Sequence, residues 1–296
     1  IYLIIVLLLI LKYFGLRNML NAFMPDFDPS NPNHIYFLCS LALKAGKNAM
    51  LYFHNDIDVE TKSNDSPVTT ADREGEEIII RGIKSQFSTI QIIGEESSEN
   101  GLPDTIEDKF FLLDPLDGTK EFINKRTDFT VNIGFIDKSA PVSGIVYAPA
   151  LSRLFFTLDN KAYETIIAPE DKIIDDIDTL YSTLSKAKEI HVRPKPDDGL
   201  VVVASRSHLS PDTEDFLKSF TVKEIVSAGS SLKFCLLATG EADIYPRHGR
   251  TMEWDTAAAH ALLCAAGGVV HDINGRILSY GKIARGLDNP YFIAST

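Results

Sequence analysis

The residues best equipped for chemistry lie in the stretch 110–122, FFLLDPLDGTKEF, which sets Asp114, Asp117 and Thr119 in a turn made by Pro115 and Gly118. Two carboxylates so closely spaced at a strand end can grip one hard cation from two sides. Pro115 fixes φ, Leu116 offers a backbone carbonyl, and Gly118 permits a bend and a close approach that a Cβ would block. Oxygen ligands of this kind suit Mg²⁺. D-P-x-D-G is also ordinary turn chemistry, so the rest of the chain has to decide between the two.

Stepping outward, the apolar run 110–113 predicts a buried strand leading into that turn. Ile35, Leu38, Leu41, Ala42, Ala45, Ala49 and Tyr52 recur at helical spacing and predict an amphipathic packing helix over 34–54. The segment 66–72 breaks the pattern and 73–87 resumes it, with Glu74, Glu76 and Glu77 in the first turns, where the macrodipole favours acids. Asp72 stands at that helix start, a natural place for an N-cap. A short strand at 90–93 runs into Gly94-Glu95-Glu96-Ser97, an acidic pair that follows directly on a β pattern. Strand signals at 131–136, 143–147 and 154–157 predict an antiparallel meander, so the first half reads as α+β.

Residues 164–199 are rich in Asp, Lys and Pro, with at most one helix near 174–187. A boundary at 194–199 divides the chain into an α+β subdomain, 24–195, and an α/β subdomain, 196–296. In the second, strands at 200–204, 222–226 and 242–245 alternate with helices at 211–220 and 230–239. Trp254-Asp255-Thr256 opens a last strong helix, 257–266, which Gly267-Gly268 ends, so Asp255 also stands at a helix start.

The chain has 296 residues, 45% of them hydrophobic, enough for a large core. Lys plus Arg number 29 against 41 Asp plus Glu, a net charge of −12, which argues against a nucleic-acid polymer as partner. Cys39, Cys235 and Cys264 are widely spaced in apolar runs, so neither a disulfide framework nor a zinc site is expected, and a reducing cytoplasm fits best. Residues 1–11 form an apolar run followed by Lys12 and Arg17, too short to span a bilayer, which takes about 20 residues. The extension 1–18 reads as the end of a membrane anchor, a signal-like segment, or translated sequence ahead of a start at Met19 or Met24, the last being preferred. An anchor would place the body at the cytoplasmic face of the inner membrane and make the protein membrane-associated.

Taken in order, GEE (94–96), DPLDGT (114–119) and WDTAA (254–258) followed by AGG (266–268) resemble the lithium-sensitive, Mg²⁺-dependent phosphatase superfamily that includes the inositol monophosphatases. The resemblance runs from about His34 to the C-terminus. Within it, KEFI (120–123), SRSH (205–208), GSSLKFC (229–235) and YPR (245–247) most resemble the CysQ-type 3′(2′),5′-bisphosphate nucleotidases. Inositol monophosphatases usually carry Asn-Phe after DGT. The chain departs from the pattern in its N-terminal extension, in a long acidic segment at 164–195, and in Asn160 where relatives commonly have glycine.

That resemblance implies a layered α/β/α/β/α fold, with an antiparallel sheet in the N-terminal half and a smaller mixed sheet in the C-terminal half. It implies two or three Mg²⁺ ions, one held by Glu95, Asp114 and the Leu116 carbonyl, another by Asp114, Asp117 and Asp255. Thr119 and Asp72 become a hydrogen-bonded pair that takes the proton of a metal-activated water, and the Gly118 and Thr119 amides grip phosphate oxygens. Ser205, His208, Gly229 and Lys233 would surround the nucleoside and its second phosphate, while Arg206 and Arg247 read either as phosphate partners or as members of salt bridges. The stretch before Lys233 also reads as a helix N-terminus, which attracts phosphate. The implied reaction is hydrolysis of adenosine 3′,5′-bisphosphate to AMP, with 3′-phosphoadenylyl sulfate as a second substrate, by a monomer or homodimer. The alternatives are an inositol monophosphatase, against which KEFI and SLKFC speak, and an inactive membrane-tethered binding protein, against which intact Asp114, Asp117, Thr119 and Asp255 speak.

Overall fold

A computed structural model describes residues 26–55, 59–61, 67–204 and 211–296. Residues 1–18, Ser205, Arg206 and His208 lie outside the described residues. The first helix, α1 (Pro32–Phe53), starts where Asn31 accepts the Asn33 N–H and Pro32 presets φ, and it buries Ile35, Leu38, Leu41, Ala42, Ala45 and Ala49 as the spacing predicts. A two-stranded ribbon, β1 (Val59–Thr61) with β2 (Pro67–Thr69), leads into α2 (Thr70–Gln86).

Both helices cover a seven-stranded sheet ordered β3 (Gln91–Gly94), β4 (Lys109–Asp117), β5 (Thr130–Asp137), β6 (Ala140–Ala148), β7 (Arg153–Leu158), β8 (Lys161–Ile166), β9 (Lys188–Ile190). It is antiparallel except at its edge, where β3 runs parallel to β4. A short helix, α3 (Thr119–Ile123), follows β4, and α4 (Ile177–Leu184) lies within the span expected to hold one helix. Strands β8 and β9 flank the acidic segment and were not expected from sequence. The first lies inside the sheet but is mostly half-buried, with no clean apolar alternation, and the second, at the edge, has too few residues to show one.

The second sheet has the order β11 (Val222–Ser227), β10 (Leu200–Ala204), β12 (Ile244–Arg247), β14 (Phe292–Ser295), β13 (Val269–Asp272). Its first three strands are parallel, and β14 inserts antiparallel between β12 and β13, which makes the sheet mixed. Helix α5 (Pro211–Leu217) packs on the outer face, where Leu200, Val202, Leu217 and Ile244 meet. Helices α6 (Leu232–Ala238) and α7 (Ala257–Ala265) fill the space between the sheets. Alternate residues of β4 accordingly face different cores, Phe111 and Leu113 toward α1 and α2, Phe110 and Leu112 toward α6 and α7. The result is the five-layered α/β/α/β/α architecture.

The central layer is tight. A Cβ on Gly134 would lie 2.8 Å from Ala257 Cβ, and one on Gly144 only 1.9 Å from the Ala258 carbonyl oxygen, so α7 rests backbone-close on β5 and β6. Among the described residues no helix is long and apolar enough to cross a membrane.

Candidate active site

Helix α2 begins with a capping box that also serves the site. Asp72 Oδ2 accepts the Thr69 N–H at 2.8 Å and the Thr69 hydroxyl at 2.6 Å, and Oδ1 lies 3.1 Å from Thr119 Oγ1. The capping role and the pairing with Thr119 therefore belong to the same carboxylate. Burial pushes its pKa up, against the hydrogen bonds from Thr69 and Thr119. Thr119 Oγ1 is also 3.2 Å from the Leu116 carbonyl, and its one proton serves either acceptor.

Asp114 is buried at the end of β4, where Oδ1 accepts the Leu116 N–H at 3.0 Å. The register of β4 against β5 shifts between Asp114 and Asp117, turning the chain out of the sheet. Gly118 then takes φ of +95°, a left-handed conformation that favours glycine, and α3 starts. Glu95 follows β3 and donates its N–H to Leu113 O at 3.1 Å, which sets it beside Asp114. Asp255 precedes α7, and its Oδ2 accepts the Met252 N–H at 2.8 Å.

Carboxylate oxygens of Glu95, Asp114 and Asp255 all lie within 4.8 Å of one another. Burial first, and then the charges of Glu95, Asp117 and Asp255, hold the Asp114 carboxyl well above the usual range. Asp255 is raised in the same direction by burial, then by Asp117 and Glu95. Such mutual repulsion is what a bound cation would relieve, and an all-oxygen donor set fits a hard divalent ion. Asp117 stands beside the trio. Its Oδ2 accepts the Ser231 N–H at 2.6 Å and Asn132 Nδ2 at 3.3 Å, and burial raises its pKa against the pull of Lys233.

A cavity of about 210 Å³ opens next to the trio, lined by Asp117, Gly118, Gly229, Lys233, Arg247 and Asp255 among others. Gly229 is required there, because a Cβ would come within 2.5 Å of the Asp128 carbonyl oxygen. Lys233 is only 6% exposed, donates to Ser230 O at 2.6 Å and sits 5.4 Å from the Tyr245 ring centre. Burial brings its pKa down to about 8, and Asp117 opposes that shift. Arg247 has a buried Nε with no hydrogen-bond partner.

Of the predicted residues, the structure brings Asp72 to Thr119, gathers Glu95, Asp114 and Asp255, and sets Asp117, Gly118, Gly229 and Lys233 around the adjoining cavity. Three contributors were not expected. Glu76 on α2 accepts the N–H groups of Glu96 and Ser97. Asn132 on β5 donates to Ser231 Oγ at 3.0 Å, and that hydroxyl donates to the Asp255 carbonyl at 2.5 Å, which ties the surroundings of Asp117 to Asp255. The available signal for Asn132 is one polar residue within the otherwise apolar run 131–136.

Fold and carboxylate cluster together define a metal-dependent phosphatase of layered α/β architecture. The pattern of the inositol monophosphatase family matches residues 31–295, and the chain belongs to that family. It is 37% identical over 245 residues to the 3′(2′),5′-bisphosphate nucleotidase CysQ of Salmonella typhimurium, covering 82% of this chain and 92% of the relative. The CysQ of Buchnera aphidicola is 36% identical over 250 residues, 84% of this chain and 88% of the relative. The crystal structure of CysQ from Bacteroides thetaiotaomicron, a bacterial member of the inositol monophosphatase family, matches with a TM-score of 0.73 at 33% identity, covering 91% of this chain and 98% of that one. The inositol monophosphatase of Thermotoga maritima shares the fold, with a TM-score of 0.65 at 23% identity over 87% of this chain and 89% of that one.

Proposed function

We propose that this chain is a Mg²⁺-dependent 3′(2′),5′-bisphosphate nucleotidase that hydrolyses adenosine 3′,5′-bisphosphate to AMP and phosphate, with 3′-phosphoadenylyl sulfate as a second substrate. The observation that carries this reading is a carboxylate trio adjoining, through Asp255, a cavity that Asp117 and a buried lysine also line. One wall suits the phosphate that is cleaved and the other the phosphate that is kept. The nucleotidases named CysQ among the relatives support the same assignment.

Glu95, Asp114, Asp117, Asp255 and the Leu116 carbonyl would hold the cations, two or three in number. Bound Mg²⁺ supplies charge neutralisation of the phosphate and a lowered pKa for the attacking water. Thr119 Oγ1 takes the water's proton while passing its own to Asp72 Oδ1, and the raised pKa of Asp72 suits that task. The Gly118 and Thr119 amides face phosphate oxygens at the start of the turn that follows. Lys233 and Arg247 bind the second phosphate, beside Gly229, while Ser205 and His208 complete the nucleoside side. Free cysteines at 39, 235 and 264 support a reducing, cytoplasmic setting.

The test is phosphate release from adenosine 3′,5′-bisphosphate, its 2′,5′ isomer, inositol 1-phosphate and fructose 1,6-bisphosphate, with and without Mg²⁺. Faster hydrolysis of inositol 1-phosphate than of either nucleotide would overturn the assignment.

A further inference from the structure

Helix α2 carries a second acidic side chain into the site. Asp72 and Glu76 are one turn apart on the face that also buries Ile79 and Ile83, so both carboxylates point inward. Glu76 is 4% exposed, and burial pushes its carboxyl up. Its Oε2 accepts the Glu96 N–H and its Oε1 the Ser97 N–H, each at 2.8 Å. These are the two amides directly after Glu95.

The rest of the turn is arranged around that grip. A Cβ on Gly94 would lie 2.4 Å from Glu76 Oε2, so the residue before Glu95 leaves room for the carboxylate. Ser98 Oγ donates to Gly94 O at 2.6 Å, and the Glu95 N–H is fixed on Leu113 O. Glu95 is thus held on both flanks, with its carboxylate grouped with those of Asp114 and Asp255. Two adjacent N–H groups need two acceptor oxygens. A carboxylate has both, whereas glutamine has one and would turn its NH₂ against an N–H.

We propose that Glu76 is a positioning residue that sets Glu95 for cation binding by clamping the 95–97 turn onto α2. This rests on the reading that Glu95 is a cation ligand. Because Asp72 shares the helix, α2 then fixes both the cation side and the proton-accepting side of the site in one rigid element. Groups that orient metal ligands in this way are typically worth about 10- to 100-fold in metal affinity.

The experiment uses the full chain with two substitutions that act on the same contact from opposite sides. Glu76→Gln removes the charge and one acceptor. Gly94→Ala keeps the charge but displaces the carboxylate, and the clash falls on the end of a flexible side chain, so the fold has room to adjust. Mn²⁺ binding is read by electron paramagnetic resonance and Mg²⁺ binding by calorimetry, alongside unfolding temperature in EDTA. Expected is a loss of about tenfold or more in cation affinity for each variant, with the double variant no worse than Glu76→Gln alone. Wild-type affinity in Glu76→Gln, with only the unfolding temperature lowered, would make Glu76 a turn cap and overturn the proposal. Loss in Glu76→Gln but not in Gly94→Ala would show that the charge acts without the clamp, which also overturns it. If the unsubstituted protein binds neither ion, the underlying reading fails, a result that is distinguishable because it appears before any substitution.

Discussion

Replacing Asp114 by asparagine separates what the carboxylate cluster costs the fold from what it does for catalysis. Asparagine keeps an oxygen for the Leu116 N–H, now 3.0 Å from Asp114 Oδ1, and has nearly the same volume, so the loop has no reason to rebuild. It removes one of three carboxylates whose oxygens lie within 4.8 Å of one another. Two unit charges at that separation repel by about 3.5 kcal/mol at an effective dielectric constant of about 20. Asp114 faces two of them; burial first, and then these charges, raise its pKa, so holding a proton sheds part of the repulsion. A net gain of about 1–3 kcal/mol in cation-free stability is expected, or about 2–6 °C in Tm. A carboxyl with a higher pKa folded than unfolded binds its proton more tightly when folded, so its contribution to stability falls as pH rises from about 4 through the folded value. The advantage of Asp114→Asn in EDTA should therefore be absent near the unfolded pKa of about 4 and grow as pH rises. With Mg²⁺ at about 100 times its Kd the wild type regains about 2.7 kcal/mol and the variant little, so most or all of the advantage is cancelled. Calorimetry in EDTA and in Mg²⁺ measures both, and phosphate release should fall about 100-fold or more. A variant less stable than wild type in EDTA at the higher pH, or one keeping more than about a tenth of the activity, would refute the reasoning.

If Lys233 pairs with the phosphate that is kept, Lys233→Ala removes a charge-assisted contact worth about 1.5–3 kcal/mol, so kcat/KM for the bisphosphate should fall about 10- to 100-fold while a small monophosphate is hardly affected. Equal losses on both substrates would place the nucleotide elsewhere. Since its pKa is held at about 8, KM for the bisphosphate should climb as pH rises past that value and the ammonium is lost; a flat profile there would count against the pairing. Lithium has the size of Mg²⁺ with half its charge, so it should inhibit turnover at fixed Mg²⁺, and insensitivity up to about tens of millimolar would speak against the cation site. Gly144→Ala drives a Cβ to 1.9 Å from the Ala258 carbonyl and should cost about 3 kcal/mol, read as a lower urea midpoint; an unchanged midpoint would mean that α7 does not sit as described.

Local pattern made the carboxylates at strand ends, the meander and the Gly-Ser-Ser start of α6 legible, because each depends on neighbours in sequence. Asp72 looked like either a cap or a reactive group, and the structure shows that one side chain with two oxygens faces Thr69 and Thr119 at once. In sequence Glu76 reads as an acid placed for the macrodipole. Its spacing from Asp72, Ile79 and Ile83 puts it on the buried face, but nothing nearby in sequence names the amides of Glu96 and Ser97 as its partners. Strand β14 escaped notice for a related reason. It is short, follows Asn289-Pro290, and is placed by pairing with β12 and β13 rather than by a pattern of its own.

The seating of α7 bears on the order in which the molecule can assemble. Its backbone fits against Gly134 and Gly144 on β5 and β6, strands that leave the ribosome long before the helix does. A nascent chain that has completed the meander therefore presents an apolar sheet face with its covering helix still unmade. Closing so long a loop is slow, and the open face is the vulnerable surface in the interval. Asp255 lies just ahead of this helix, so the last of the proposed cation ligands enters as the two sheets are joined. Ion binding should then appear only in chains that have finished folding, which makes it a natural reporter of refolding yield.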